Sequence, residues 1–404
     1  MSKSDEKSVP RLSSTRAART ADGAREFFHY YLQSPYAQRK MAGKPARFDF
    51  VTGNPFAMPM PEMVAALVDA ITPKDTQAYA SKLTEKASRE VVAASLRERH
   101  GLGFDADDVL MTSGGFAAIE VALKTISDPG DELIVNTPWF HVYPSVIAAA
   151  SVEPVKVPLG EGFKLDIEAI RRAVTPKTRG ILLCSPHNPS GRLVRAEEAK
   201  ALAEILTEAS RQQGRPVWLL SDEAFSRIVY DGVRYETPTQ FYPHSMLLYT
   251  YGKQLLSPGE RMGYIALNHT MPEADRKALR EPLLHMAIGS GFCFPNSTLQ
   301  RALPVLEKLS IDVGLLQENR DYFVRELGKH GYKCVASEGT FFMLVQSPIP
   351  DDVKFADVLA EHEIFVLPGR MNLAPGWFRI SLCSLRETVR DSIDGFARAI
   401  QQCS

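Results

Sequence analysis

Thr250-Tyr251-Gly252-Lys253 and, eight residues after the lysine, Arg261 in Ser257-Pro258-Gly259-Glu260-Arg261-Met262-Gly263 form the stretch that decides how this chain is read. The lysine follows an apolar run at 246–250 that has the composition of a buried strand. A lysine at a strand end can hold an aldehyde cofactor covalently, while a hydroxyl before it and an arginine after it grip a phosphate. Alone the pattern is weak. With 47 lysines and arginines in 404 residues, a solvated lysine beside a Pro-Gly turn would look the same. The rest of the chain must supply what such a cofactor needs.

The composition permits an enzyme of that kind. A chain of 404 residues, 45% apolar and 24% charged, is long enough for about two or three domains with a substantial core. Its formal charge of -1 gives no electrostatic footprint for nucleic acid or an anionic membrane. Cys184, Cys293, Cys334, Cys383 and Cys403 are scattered without a CxxC pair, so neither a disulfide framework nor a metal site is expected. The first 25 residues have no apolar segment for a signal peptide, and no later run suits a membrane span. The expected compartment is the cytoplasm.

Outward from Lys253, apolar strand candidates at 132–136, 180–185, 217–221, 246–250 and 264–267 alternate with helical patterns. Met63, Val64, Leu67, Val68 and Ile71 mark one amphipathic helix, and Phe116, Ile119, Leu123 and Ile126 another. Runs apolar on both faces and separated by helices predict an α/β fold with a mostly parallel sheet covered on both sides. The expected organisation is a mobile polar tail over 1–25 and an N-terminal arm over 26–45 that packs on the small domain or a partner subunit. A large domain over 46–294 and a smaller C-terminal α+β domain over 295–404 complete it.

Four further elements supply cofactor chemistry. Val217-Trp218-Leu219-Leu220-Ser221-Asp222 ends a strand in an acid, where a parallel sheet presents ligand-facing groups. A carboxylate beside a pyridine nitrogen keeps it protonated and able to accept electrons from the substrate α-carbon, although a lone acid there can equally cap a helix. Thr112-Ser113-Gly114-Gly115-Phe116 joins a strand to a helix, so free amides and the positive helix end face one spot suited to phosphate; a capping turn reads the same. Asn188 in Ser185-Pro186-His187-Asn188-Pro189 can donate to a phenolic oxygen, or belong to a simple turn. In Thr137-Pro138-Trp139-Phe140, either aromatic can stack on a pyridine ring or enter the core.

Together these pieces resemble, in order and spacing, the fold type I pyridoxal-phosphate enzymes of the class I and II aminotransferase family, over residues 48–382. The resemblance implies pyridoxal 5'-phosphate as cofactor, with Lys253 as its Schiff base and Asp222 on the ring nitrogen. It implies Asn188 on the ring oxygen, Phe140 as the stacking aromatic, and Ser113, Gly114, Gly115, Phe116, Thr250 and Arg261 around the phosphate. In the same way Arg379, in Phe378-Arg379-Ile380-Ser381, pairs with the substrate α-carboxylate and Gly53 closes over it. Tyr79 and Ser297 take positions that reach a partner subunit's phosphate, which implies a homodimer with shared active sites.

Departures from the family pattern bear on the substrate. Phe225 stands where most relatives have a tyrosine and cannot donate to the ring oxygen, which is expected to raise the pKa of the lysine linkage. Thr84 and Ser88-Arg89 replace a Gly and a Leu-Arg, so the loop after Tyr79 is expected to be reshaped. Phe116 occupies the place where bacterial aspartate-specific relatives often put a lysine. With Phe56, Trp139, His141 and Phe225 also candidate pocket residues, the expected donor is a neutral or aromatic amino acid. His141 by itself is read as a packed or solvated histidine before a catalytic one. The implied reaction moves an amino group from an amino acid to a 2-oxo acid by a ping-pong route. The same scaffold also hosts C–S β-lyases and amino-acid oxidases, and a transcription-regulator variant lacks support in the first 45 residues, which show no winged-helix pattern.

Overall fold

The computed structural model describes residues 12–44 and 46–403. It opens with helices α1 (Thr15–Gly23), α2 (Arg25–Gln33) and α3 (Pro35–Met41), strand β1 (Phe48–Asp49), and helices α4 (Pro61–Ile71) and α5 (Lys86–His100). Strands and helices then alternate: β2 (Val109–Thr112), α6 (Gly115–Ile126), β3 (Glu132–Thr137), α7 (Tyr143–Ala149), β4 (Glu153–Pro158), α8 (Ile167–Ala173), β5 (Thr178–Cys184) and α9 (Ala196–Gln213). There follow β6 (Trp218–Asp222), β7 (Ser245–Thr250), α10 (Tyr251–Gln254), β8 (Gly263–Leu267), α11 (Glu273–Gly289) and α12 (Ser297–Leu306). The chain ends with α13 (Val313–Lys329), β9 (Phe342–Gln346), α14 (Asp352–Glu361), β10 (Ile364–Phe365), β11 (Leu367–Pro368), β12 (Trp377–Ser381) and α15 (Arg386–Gln401).

Seven strands form one sheet in the order β2-β8-β7-β6-β5-β3-β4, and only β8 runs against its neighbours. Every residue of β7 and β8 is buried, because helices cover both faces. Leu133, Leu248 and Ile265 pack with Leu123 and Ile126 of α6. Alternate positions point the other way, so Ile134, Ile181 and Leu219 meet Leu202 and Leu206 of α9. Each such side chain contributes about 1.5–3 kcal/mol by leaving water.

Parallel strands bring their carboxyl ends to one edge, and the register fixes which residues meet there. Cys184 pairs with Asp222 across β5 and β6, while Thr112 and Thr250 both pair with Gly263. The acid, the lysine and the phosphate turn therefore converge although they are far apart in sequence.

Domain boundaries differ from the sequence reading in three places. Phe48 of β1 pairs with Ile364 of β10, and Phe50 is buried with Phe323 and Phe396, so residues 48–50 belong to the C-terminal core. Conversely, Leu299, Leu303 and Leu306 of α12 pack with Met63 of α4 and with Val92 and Leu96 of α5, which carries the large domain past residue 294. The expected mobile tail is helical over Thr15–Gly23, whereas residues 1–11 lie outside the described residues. Arg19 explains the helix's position: its guanidinium meets both carboxylate oxygens of Glu153 at 2.6 Å. A Cβ at Gly23 would come within 2.7 Å of the Ser145 amide, so only glycine lets α1 approach α7 this closely.

The arm packs on the small-domain side, where Tyr30 and Tyr36 join Val51, Phe365 and Leu367. The loop after Tyr79 is tied to α12: the Gln300 side chain accepts from the Glu85 amide at 2.8 Å and donates to the Leu83 carbonyl at 3.1 Å. Among the described residues no helix is long and apolar enough to cross a membrane.

Candidate active site

The carboxyl edge of the sheet surrounds a cavity of about 370 Å³ whose wall includes Gly115, Phe116, Phe140, Asn188, Asp222, Phe225, Thr250, Lys253 and Arg261. Its volume falls in the usual range for a small ligand.

Asp222 stands at the end of β6, where the strand's alternation turns it to the cavity and turns Glu223 inward to Ser221 and Thr237. The Tyr143 hydroxyl donates to Asp222 at 2.5 Å, and the Ala224 amide donates to its other oxygen at 3.1 Å. Burial raises the pKa of Asp222, opposed by those two hydrogen bonds and by the charge of Lys253. Tyr143 itself is raised well above its ordinary value by burial and by the facing carboxylate. This tyrosine was not singled out in the sequence. The signal available was its spacing, three residues after Phe140 and therefore one helical turn behind the cavity wall.

Lys253 lies in the short helix α10 directly after β7, half-buried, with Nζ 5.5 Å from the Phe225 ring centre and 5.4 Å from that of Phe341. Burial, joined by Arg379 and Arg261 and opposed by Cys383 and Asp222, lowers its pKa to about 8. An amine so placed can shed its proton near neutral pH. Phe341, the residue before β9, is a second neighbour that the sequence did not point to.

The phosphate turn is built around one glycine. Gly114 adopts φ 86°, ψ -179°, a conformation essentially confined to glycine. A Cβ there would lie 2.9 Å from Arg261 Cζ. The α6 amino end has no side-chain cap, which leaves its amides for an anion. Arg261 donates to the Pro258 carbonyl at 2.8 Å, and Thr250 Cβ stands 3.4 Å from where a Gly115 Cβ would be. Ser113 belongs to the same turn but stays outside the cavity wall.

Arg379 of β12 is 2% exposed. It donates to Asn188 Oδ1 at 3.2 Å and to the Val51 carbonyl at 3.0 Å, and its guanidinium lies 3.7 Å from the Phe342 ring centre. Its Nε is buried without a partner, and burial lowers its pKa to about 9. Because Arg379 engages the amide oxygen of Asn188, the Asn188 NH₂ group is left to donate elsewhere. Gly53 lies near the same region: a Cβ there would come within 2.7 Å of Phe341 Cζ.

Of the two candidate aromatics, Phe140 lines the cavity and Trp139 is buried in the core. Tyr79 is not brought to the cavity. It is 64% exposed, and its hydroxyl donates to the Ile71 carbonyl at 2.5 Å. Ser297 opens α12 behind its cap Asn296.

A family model for class I and II aminotransferases matches residues 48–394. The chain belongs to that family. Among its relatives, the probable aspartate/prephenate aminotransferase of Thermus aquaticus is 30% identical over 321 residues, 78% of this chain and 81% of that protein. The aspartate aminotransferase of Rhizobium meliloti is 28% identical over 396 residues, covering 91% and 92% of the two chains. A crystal structure of an amino transferase from Eubacterium rectale matches with a TM-score of 0.87 and 28% identity, over 97% of this chain and 99% of its own. The protein is thus an aminotransferase of fold type I, and members of this family use pyridoxal 5'-phosphate.

The residues present fit that cofactor. An uncapped helix end, a glycine-only turn against an arginine and a partly deprotonatable lysine share one cavity with an acid. Gly114→Ala tests the turn. Backbone strain of about 1–3 kcal/mol corresponds to roughly 5–150-fold weaker retention of pyridoxal phosphate. Titrating the apoenzyme with the cofactor and following its absorbance measures the loss.

Proposed function

We propose that this aminotransferase takes its amino group from a neutral or aromatic amino acid and passes it to a 2-oxo acid, with Lys253 as cofactor anchor and base. The aromatic wall around that lysine carries the reading. Phe116 stacks nearly parallel to Phe140 at 5.9 Å, and Phe225 and Phe341 flank Lys253 Nζ. The Thermus aquaticus relative is named for aspartate and prephenate. A side-chain carboxylate would meet apolar rings on this wall, which favours a different donor here.

Each residue then has a part. The Arg379 fork holds the α-carboxylate in two parallel hydrogen bonds, which fixes the α-carbon beside Lys253. Arg261, Thr250 and the amides of Gly114, Gly115 and Phe116 would hold the phosphate, with Ser113 in the same turn. Phe140 would support one face of the ring, the Asn188 amide would donate to the ring oxygen, and Asp222 would keep the ring nitrogen protonated. Gly53 closes over the bound carboxylate. Lys253, uncharged once it sheds its proton, would take the proton from the substrate α-carbon at its Nζ. Pyridoxal phosphate, when bound, supplies the sink for the electron pair that the proton leaves behind. Phe225 leaves the ring oxygen without a phenol donor, which favours a protonated lysine linkage. A second oxo acid reverses the sequence, giving ping-pong kinetics.

In single turnover, holoenzyme mixed with phenylalanine, tyrosine, leucine, methionine, aspartate and glutamate should give stoichiometric oxo acid and the amine form of the cofactor. The largest kcat/KM should fall on a neutral or aromatic donor. A larger kcat/KM for aspartate than for every neutral or aromatic donor would sink the donor assignment. The reading includes a cytoplasmic homodimer in which Tyr79 and Ser297 of one protomer serve the other; the 64% exposure of Tyr79 supports it. Sedimentation velocity of the holoenzyme tests the dimer.

Tyr143→Phe removes one of two hydrogen bonds to the half-buried Asp222. A hydrogen bond to a charged group contributes about 1.5–3 kcal/mol, so kcat should fall roughly 10–100-fold. Because the lost bond favoured the carboxylate, the Asp222 pKa should rise. The acid limb of the kcat profile should then move to higher pH, a displacement that general loss of packing would not produce.

A further inference from the structure

Lys253 and Arg379, which act on the same amino acid in the function proposed above, belong to different cores. The lysine's helix α10 packs with the large domain through Tyr251, with Leu255 just after it, whereas β12 packs with the C-terminal domain through Phe378 and Ile380. Their separation depends on how the chain crosses between the two. One crossing runs from α12 to α13: Leu309 packs against the large-domain core and Ile311 against the C-terminal one.

That crossing hangs on Gln254, the residue next to Lys253. The Gln254 carbonyl accepts from the Ile311 amide at 2.9 Å, and its side-chain NH₂ donates to the Leu309 carbonyl. Both sides of the crossing are therefore fastened to one residue. The Tyr249 hydroxyl donates to Gln254 Oε1 at 2.8 Å, which turns the NH₂ group toward the crossing. Gln254 and Tyr249 are each 1% exposed. A second tie lies just upstream, where Tyr251 of α10 donates to the Glu307 carboxylate and Arg227 donates to that carboxylate and, at 2.6 Å, to the Glu307 carbonyl.

Packing alone does not call for an amide at this position. Leu255, next in the chain, fills the same core with an apolar side chain. A buried amide with both ends engaged fixes the spacing of two elements more closely than apolar contact does, because hydrogen bonds are directional and costly to leave unmade. Spacing matters here. The α-carbon of an amino acid gripped by Arg379 must come within reach of Lys253 Nζ, and small misplacements of reacting groups cost large factors in rate.

We propose that Gln254 is a positioning residue: by holding the crossing at 309–311 to α10, it sets where Arg379 presents a substrate α-carbon to Lys253. The inference rests on the roles given above to Lys253 and Arg379, and Gln254 itself is not part of the cavity wall.

Gln254→Met keeps the side chain's length and removes both of its hydrogen bonds. Holoenzymes of the wild type, Gln254→Met, Arg379→Lys and the double variant are compared on whichever amino acid of the panel above the wild type turns over fastest, so the outcome does not depend on the donor class. Gln254→Met should lower kcat about 5–150-fold, the range for leaving buried polar groups unpaired. KM should change less, because the arginine still grips the carboxylate while the α-carbon sits off the line of the base. With the planar fork already lost in Arg379→Lys, the same substitution has less to misplace, and the two losses in kcat/KM should fall short of multiplying by more than about twofold, the limit for independent sites. If the methionine variant does not fold, Tyr249→Phe, which releases the Gln254 oxygen, replaces it in the same cycle and is held to the same outcomes. Wild-type kcat in the variant, a loss confined to KM, or losses that multiply would overturn the inference while leaving the carboxylate role of Arg379 standing. Wild-type kcat/KM in Arg379→Lys would overturn that role and the inference together.

Discussion

Lys253→Ala is expected to lower kcat by about 10⁴-fold or more, the upper end of what a general base contributes, because the same substitution removes the cofactor's covalent anchor. Borohydride reduction of wild-type holoenzyme should fix the cofactor on the peptide that carries Lys253, and the alanine variant should yield no fixed cofactor on any peptide. A variant that still formed a reducible linkage would overturn the assignment of the lysine. The acid–base setting adds a signature that needs no turnover. The uncharged amine is the form that captures an aldehyde, and burial lowers the Lys253 pKa to about 8. Capture of pyridoxal phosphate by the apoenzyme should therefore accelerate as pH rises to about 8 and level off above it. An unperturbed lysine would keep gaining up to about pH 10.4.

That lysine was legible because strand ends are. Apolar runs at 180–185, 217–221, 246–250 and 264–267 fall within one or two residues of β5, β6, β7 and β8. The helix marked by Met63, Val64, Leu67, Val68 and Ile71 is α4, which ends at Ile71. Both successes have one cause: a sheet covered on both faces leaves an unbroken apolar signal, and the polar residue that ends it faces the ligand edge. The placement of Asp222, Asn188, Thr250 and Lys253 around one cavity was readable for that reason.

What the sequence withheld depends on long-range placement. Helix α1 has no buried side chain, so nothing in its apolar pattern marks it; an ion pair from Arg19 to Glu153 and the bare backbone of Gly23 dock it. Tyr143 and Phe341 become site residues only because α7 and the approach to β9 turn toward β6 and β7. The exchange of Phe48 and Phe50 into the C-terminal core depends on pairing with β10, more than 300 residues away, and no local pattern encodes that. Tyr79 shows the reverse case, a residue whose motif points to a phosphate while its position in the protomer is exposed.

Arg379 gives the other large effect, and its sign differs between function and stability. The guanidinium is buried, donates to Asn188 and the Val51 carbonyl, and packs over the Phe342 ring, yet no carboxylate pairs with it among the described residues. Burial has already pressed its pKa to about 9, so the charged form is held at a cost that a substrate carboxylate would offset. Arg379→Lys keeps the charge but loses the planar fork, and kcat/KM should fall by about 30- to 5,000-fold, equivalent to roughly 2–5 kcal/mol for truncating one partner of a buried charged pair. The loss should be confined to substrates with an α-carboxylate; slow turnover of the corresponding amines should change little. Cofactor retention should also hold, because the partners of Arg379 are Asn188, the Val51 carbonyl and the Phe342 ring and none belongs to the phosphate turn. Arg379→Met should abolish selection of amino acids over amines and leave the thermal midpoint equal to or above that of the wild type, since an uncompensated buried charge has gone. A methionine variant that melted well below the wild type would mean that the arginine is there to hold the fold, and the carboxylate assignment would have to move elsewhere.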